Sequence, residues 1–178
     1  ITDAPPRRSF VVLLADVAEA WELSYDPAAE PVYQGLVHDY RMREGIAEAG
    51  PLPVRRIELD VPLSEAVFAP GFDVFVARAG PGTLHVVSLL VRRRIETLTV
   101  DGDPRVDGAA AWQCGGGPVQ FALPDGAAPV LHLIDGGRWQ GRTMELPARA
   151  AGVRADGCGA LRIELATGGA LRVDAGRR

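Results

Sequence analysis

Residues 74–98 read VFVARAGPGTLHVVSLLVRRRIETL: an apolar run from Val74, a Gly80-Pro81-Gly82 turn, a second run from Leu84, and a third, Arg93-Arg94-Ile95-Glu96-Thr97-Leu98. Short apolar runs bounded by turn residues are the mark of antiparallel strands. The same order recurs downstream as Val119–Leu123, a Pro124-Asp125-Gly126 turn, Val130–Asp135 and Arg142-Thr143-Met144-Glu145-Leu146. A shorter copy follows in Leu161–Leu165, Thr167-Gly168-Gly169 and Leu171–Asp174. Upstream, Phe10–Leu14, a turn at Asp16, Trp21–Asp26 and Arg55-Arg56-Ile57-Glu58-Leu59 make another.

Phe75 and Val119 are 44 residues apart, and Val119 and Leu161 are 42 apart. A period of ~40–50 residues with about four strands per repeat is that of a β-propeller blade. A short innermost strand fits before three copies, at Ala66–Phe68, Gly108–Trp112 and Gly152–Ala155. The first copy leaves no room for one, and the last lacks an outer strand. The expected fold is therefore all-β, a β-propeller of about three and a half to four blades. The blades are expected over residues 7–60, 61–100, 106–147 and 150–178. A β-sandwich also alternates strands with turns. It offers no reason for the order turn, strand, Arg-x-Ile/Met-Glu-(Thr)-Leu to recur at near-constant spacing. Propellers close as rings of ~4–8 blades, which protects their edges. The expectation is an arc of a larger ring, with a self-contained four-bladed ring or an assembly of halves as the alternative.

Composition is that of an ordinary globular chain: 178 residues, 47% hydrophobic and 24% charged. A net charge of −4, with no basic run beyond Arg92-Arg93-Arg94, argues against nucleic-acid binding. No apolar stretch approaches the ~18 residues of a membrane span. All 19 basic residues are Arg, and the chain has neither Lys nor Asn. This pattern reads as codon bias of a GC-rich genome, so no single Arg is taken as selected for bidentate chemistry on composition alone. The chain begins at Ile1 without an initiator Met or a signal peptide, which reads as an excerpt or a processed product. Cys114 and Cys158 form neither CxxC nor CxxCH, which excludes a covalent c-type haem or a zinc ribbon in this segment. They stand one blade period apart in equivalent turns. Such turns are expected to lie farther apart than the ~4.4–6.8 Å Cα separation that a disulfide needs, so the two cysteines are expected to be unbridged.

Residues 27–53, PAAEPVYQGLVHDYRMREGIAEAGPLP, interrupt the first copy. The insertion exceeds the ~12–15 residues usual for a structureless connection, and loops of that length tend to be functional. It gathers His38, Asp39, Tyr40, Arg41, Arg43 and Glu44 into seven positions. One reading is a contact surface. The other is a solvated loop with Arg41 or Arg43 paired to Asp39 or Glu44, where each pair contributes about 0–1 kcal/mol. His85 and His132 occupy equivalent positions of successive copies, which favours a scaffold role, and no cluster has metal-ligand spacing. Trp21, Trp112 and Trp139 fall in or beside strands and are expected to pack between blades. Gly115-Gly116-Gly117 is a turn, since neither Lys nor a helix follows it as in a phosphate loop.

The segment RRSFVVLLADVAEAWELSYDPAAEPVYQGLVHDYRMREGIAEAG, residues 7–50, resembles the haem d1 propeller of the dihydro-haem d1 dehydrogenase and haem d1 nitrite reductase family. The likeness is strongest there, moderate over residues 54–98 and weak beyond Gly115. It implies an eight-bladed ring of a periplasmic denitrification protein, of which this chain is part of the C-terminal half. A preceding cytochrome c module would carry haem c. Haem d1 or its dihydro precursor would sit in the mouth of the channel, held by Arg and Tyr side chains, with His supplying protons. By that resemblance His38, Tyr40, Arg41, Arg43 and Arg105 are the candidate cofactor-binding residues, with no metal ligand or catalytic residue assigned. The implied partner is a cytochrome c electron-transfer domain or protein, and a homodimer is a separate expectation. One departure bears on activity. Where the family carries a Pro-His-x-Gly-like run, this chain has Asp103-Pro104-Arg105-Val106-Asp107-Gly108, with Arg105 at the position of the histidine. A guanidinium can fork onto a carboxylate but cannot shuttle protons near neutral pH. An oxidoreductase therefore competes with a catalytically inactive propeller used for binding or assembly, and a generic scaffold propeller is the third reading.

Overall fold

The computed structural model describes residues 1–30, 32–34, 46–48 and 52–175. The chain divides into two compact units, Ile1–Pro62 and Leu63–Arg178. Strands supply nearly all the regular structure. Among the described residues the one helical element is a 3₁₀ turn at Pro5–Arg7, and no helix is long and apolar enough to cross a membrane.

In the first unit an antiparallel sheet has the order β1 (Thr2–Ala4), β2 (Ser9–Leu13), β3 (Glu19–Ser24) and, after an insertion carrying β4 (Val32–Gln34) and β5 (Ile46–Glu48), β6 (Val54–Glu58). The first blade therefore has an innermost strand, contrary to the expectation that it lacks room for one. β1 is three residues long and pairs Thr2 with Val11 and Ala4 with Ser9. It escapes detection because it has no apolar alternation of its own. The inward face of this blade is polar in part: Ala20, Glu22 and Ser24 of β3 are buried along with Ser9, Val11 and Ile57. Glu22 accepts hydrogen bonds at Oε1 from Arg7 Nε (2.8 Å) and Ser9 Oγ (3.1 Å). The insertion also contains regular structure, because β4 and β5 pair antiparallel with Tyr33 opposite Ala47.

The second unit holds three sheets. The first runs β7 (Ala66–Phe68), β8 (Val74–Gly80), β9 (Thr83–Ser88) and β10 (Arg93–Thr99). The next runs β11 (Ala110–Trp112), β12 (Gln120–Pro124), β13 (Val130–Asp135) and β14 (Gln140–Glu145). The last runs β15 (Ala150–Ala155), β16 (Ala160–Leu165) and β17 (Ala170–Asp174), with no fourth strand among the described residues. Each sheet winds outward in chain order, every neighbouring pair antiparallel.

This layering explains the sequence pattern. The middle strand β13 lies between neighbouring sheets of this unit and is buried on both faces, so Leu131–Ile134 reads as an unbroken apolar run, and Val74–Ala77 of β8 is likewise buried throughout. Outer strands are solvated, so β10 and β14 read as Arg- and Glu-rich. One core, including Val76, Leu84, Val86, Phe121, Leu123 and Ile134, joins the first two sheets of the unit. A second, including Trp112, Leu131, Leu133, Val153, Leu161 and Ile163, joins the last two.

Cys114 and Cys158 form a disulfide with their Cα atoms 5.4 Å apart, which corrects the expectation that they are unbridged. Blades fan out from the innermost strand, so the turns just beyond those strands sit where neighbouring blades come closest. The Val153 amide donates to Gly108 O at 2.7 Å, which shows how near β15 lies to the segment leading into β11. The bridge joins residues 44 apart in the sequence. Replacing both cysteines by serine is expected to cost about 2–3 kcal/mol. Urea denaturation checks this, and a midpoint unchanged from that of the oxidised protein would count against it.

Candidate functional site

The site is built on the connection from β10 to β11, residues 100–109, and on the β12–β13 turn that it crosses. Pro104 bridges Asp125, and the Arg105 amide donates to Pro124 O at 2.8 Å. In return, the Gly126 amide donates to Asp103 O at 2.8 Å. Val100 N, at the start of the connection, donates to Gly82 O at 2.9 Å. The loop is therefore a fixed strap laid across two turns.

Asp125 anchors this crossing. Its side chain has no exposed surface and accepts four hydrogen bonds. Oδ1 takes the Ala127 and Ala128 amides at 2.8 and 2.6 Å, the local turn closure that Asp favours. Oδ2 takes the Asp103 amide at 2.7 Å and lies 2.9 Å from His132 Nε2. Because the carboxylate can only accept, His132 Nε2 carries the proton. Burial by itself pushes the Asp125 carboxyl upward. The Ala128 amide, His132, and the Asp103 and Ala127 amides together outweigh it and hold the group at about 2. Gly102 fits against this pair with φ +109°, and a Cβ there would run into Asp125 Oδ2. Gly102→Ala is expected to cost about 2 kcal/mol through backbone strain and displacement of the carboxylate. Thermal denaturation checks it, and an unshifted Tm would contradict it.

Arg105 rides on the strap. Its Nη2 pairs with Asp107 Oδ2 at 2.9 Å, the two side chains 39% and 74% exposed. A pair this open is weak and is readily exchanged for another anion. Two more guanidinium groups adjoin the same crossing. Arg78 Nη2 reaches Asp103 Oδ1 at 2.6 Å, and Arg149 Nη1 reaches Gly126 O at 3.4 Å. The arrangement can receive carboxylates in a fork geometry. It contains no imidazole at the surface, because His132 and His85 are both buried. Among the described residues no group of three or more His, Cys, Asp or Glu could hold a metal ion.

Of the expected site residues, Arg105 is on the strap, while His38, Tyr40, Arg41 and Arg43 lie outside the described residues. Within its blade the insertion joins the third strand, β3, to the outer strand, β6, whereas Arg105 lies on a connection from an outer strand to the next inner strand. Trp112 is buried between sheets as scaffold, Trp139 packs against the other core, and Trp21 stacks under Arg56 at 5.4 Å. Arg149 carries a sequence signal of its own, standing 44 residues after Arg105, the interval that also separates Gly108 from Gly152 and Cys114 from Cys158.

Successive antiparallel sheets of up to four strands, those of the second unit stacked face to face, define part of a β-propeller. No protein-family model matches the chain. Over 142 residues, 77% of this chain and 24% of the relative, it is 28% identical to dihydro-haem d1 dehydrogenase of Pseudomonas aeruginosa. Among solved structures, dihydro-haem d1 dehydrogenase NirN in complex with DHE matches at a TM-score of 0.71 and 22% identity, over 96% of this chain and 34% of that one. The structure of U3-55K matches at a TM-score of 0.52 and 10% identity, over 96% of this chain and 50% of that one. The chain thus spans about a quarter of the curated relative and is similar to a d1-type propeller over part of its length.

Proposed function

We propose that this chain is part of a haem d1-binding propeller domain of a periplasmic denitrification protein, whose redox role is that of a dihydro-haem d1 dehydrogenase or a nitrite reductase. The observation that carries the reading is Arg105. It is held on a strap, half-exposed and paired with the exposed carboxylate of Asp107, in a chain 28% identical to dihydro-haem d1 dehydrogenase. The donor set fits an anionic macrocycle: Arg105 would hold a carboxylate in place of Asp107, with Arg78 adding positive charge nearby. When bound, the macrocycle supplies the redox chemistry, and the protein contributes orientation and charge compensation. His38, Tyr40, Arg41 and Arg43 are proposed as contacts with the macrocycle or with a cytochrome c electron-transfer domain. Haem c would belong to that partner, and self-association as a homodimer is part of the same reading. The Cys114–Cys158 disulfide supports an oxidising compartment, in keeping with the periplasm.

A second reading has a specific observation in its favour. The guanidinium of Arg105 cannot serve as an acid–base group near neutral pH, so the propeller would bind the macrocycle without turning it over. Mass-spectrometric assay of acrylate formation on the dihydro precursor, with the full-length protein and its Arg105→His variant, separates the two. Product from the wild type supports the oxidoreductase. Product from the variant alone supports a binder that has lost its proton shuttle. Absence of product from both counts against a dehydrogenase role.

A further inference from the structure

The Asp125–His132 pair lies beneath the strap, 0% and 1% exposed, so neither side chain is placed to touch a ligand. We propose that this buried pair is a positioning device for Arg105, holding the residue 103–105 segment in the register that presents its guanidinium to an anionic ligand.

The linkage runs through named bonds. His132 sits on β13, buried on both sides in its sheet, and its Nε2–H fixes the rotation of the Asp125 carboxylate. That rotation aims Oδ2 at the Asp103 amide. The reciprocal bonds Gly126 N to Asp103 O and Arg105 N to Pro124 O then set the backbone that carries Arg105. The side-chain partner of Arg105, Asp107, is itself largely exposed. Close approach requires Gly102, whose absent Cβ leaves room for Asp125 Oδ2.

The device belongs to one blade of the second unit. In the sheet before it, His85 takes the place of His132, but the Gly80-Pro81-Gly82 turn offers no carboxylate. In the sheet after it, the Thr167-Gly168-Gly169 turn is followed by Leu171-Arg172, with no histidine. The blade that has the pair is the one whose leading strap carries Arg105.

The inference rests on the reading that Arg105 contacts the macrocycle, and a double-mutant cycle separates the two claims. Asp125→Asn keeps the side-chain shape and one acceptor for the Ala127 and Ala128 amides, but puts a donor where Oδ2 meets the Asp103 amide. Affinity for the dihydro-haem d1 precursor is measured by visible titration of the full-length protein. Asp125→Asn and Arg105→Ala are each expected to weaken it about tenfold, a misplaced or missing group having similar consequences. The double variant should be no weaker than Arg105→Ala alone. Wild-type affinity in Asp125→Asn, or multiplied penalties in the double variant, would overturn the positioning role. Wild-type affinity in Arg105→Ala would overturn the macrocycle contact instead. Amide hydrogen exchange then decides the positioning claim by itself. Asp125→Asn should speed exchange at Asp103, Arg105 and Gly126 about tenfold or more while Leu133 stays protected. Unchanged exchange at the first three would overturn it.

Discussion

Phe121→Ala is expected to destabilise the chain by about 4 kcal/mol, the range for emptying a fully enclosed aromatic site. Phe121 has no exposed surface and stands on β12 in the core shared by the first two sheets of the second unit. Its ring centroid lies 6.4 Å from that of Trp139, and Val76, Leu84 and Val86 belong to the same cluster. Val76 stands on β8 and Leu84 and Val86 on β9, strands held in their own ladder, so they cannot close over the vacated space without breaking register. Truncation therefore loses both transfer free energy and packing. Ile95→Ala is the control: Ile95 lies on solvated β10 at 40% exposure, and its loss is expected to cost under about 1 kcal/mol. Urea denaturation at neutral pH compares the two. A Phe121→Ala penalty no larger than that of Ile95→Ala would mean that these sheets do not pack through this face.

Asp125→Ala is expected to cost about 3–4 kcal/mol, because it strands several buried donors at once. The Asp103, Ala127 and Ala128 amides and the Nε2–H of His132 all lose their acceptor. The effect carries a pH signature. The carboxyl is at about 2 in the fold against an ordinary 3.8. A group depressed on folding stabilises fully above its unfolded value, and that contribution fades as pH falls from about 3.8 towards about 2. The wild type should therefore lose stability through this window, and Asp125→Ala should lack that component. Urea midpoints at pH 7, 4 and 2 provide the measurement. Parallel acid profiles for the two proteins would contradict the assignment.

The blades were legible because burial on both faces writes the middle strands as apolar runs and solvation writes the outer strands as Arg- and Glu-rich. Innermost strands at Ala66–Phe68, Ala110–Trp112 and Ala150–Ala155 lie close to where the period put them. What escaped was structure specified by pairing and not by composition. β1 is defined by its register with β2, and the Cys114–Cys158 bridge by the convergence of blades. The Asp125 anchor was hidden for a related reason: three of its four partners are backbone amides, which leave no trace in a sequence. Arg105 was legible as a departure from a histidine, but its strap and its neighbours Arg78 and Arg149 became visible only in three dimensions.

The central claim, that this propeller receives a haem d1-type macrocycle at a guanidinium-bearing strap, is tested most directly by visible absorption titration. The full-length protein is titrated with haem d1 and with its dihydro precursor. A saturable spectral shift, weakened about tenfold in Arg105→Ala, is the predicted result. No shift with either compound would contradict the account.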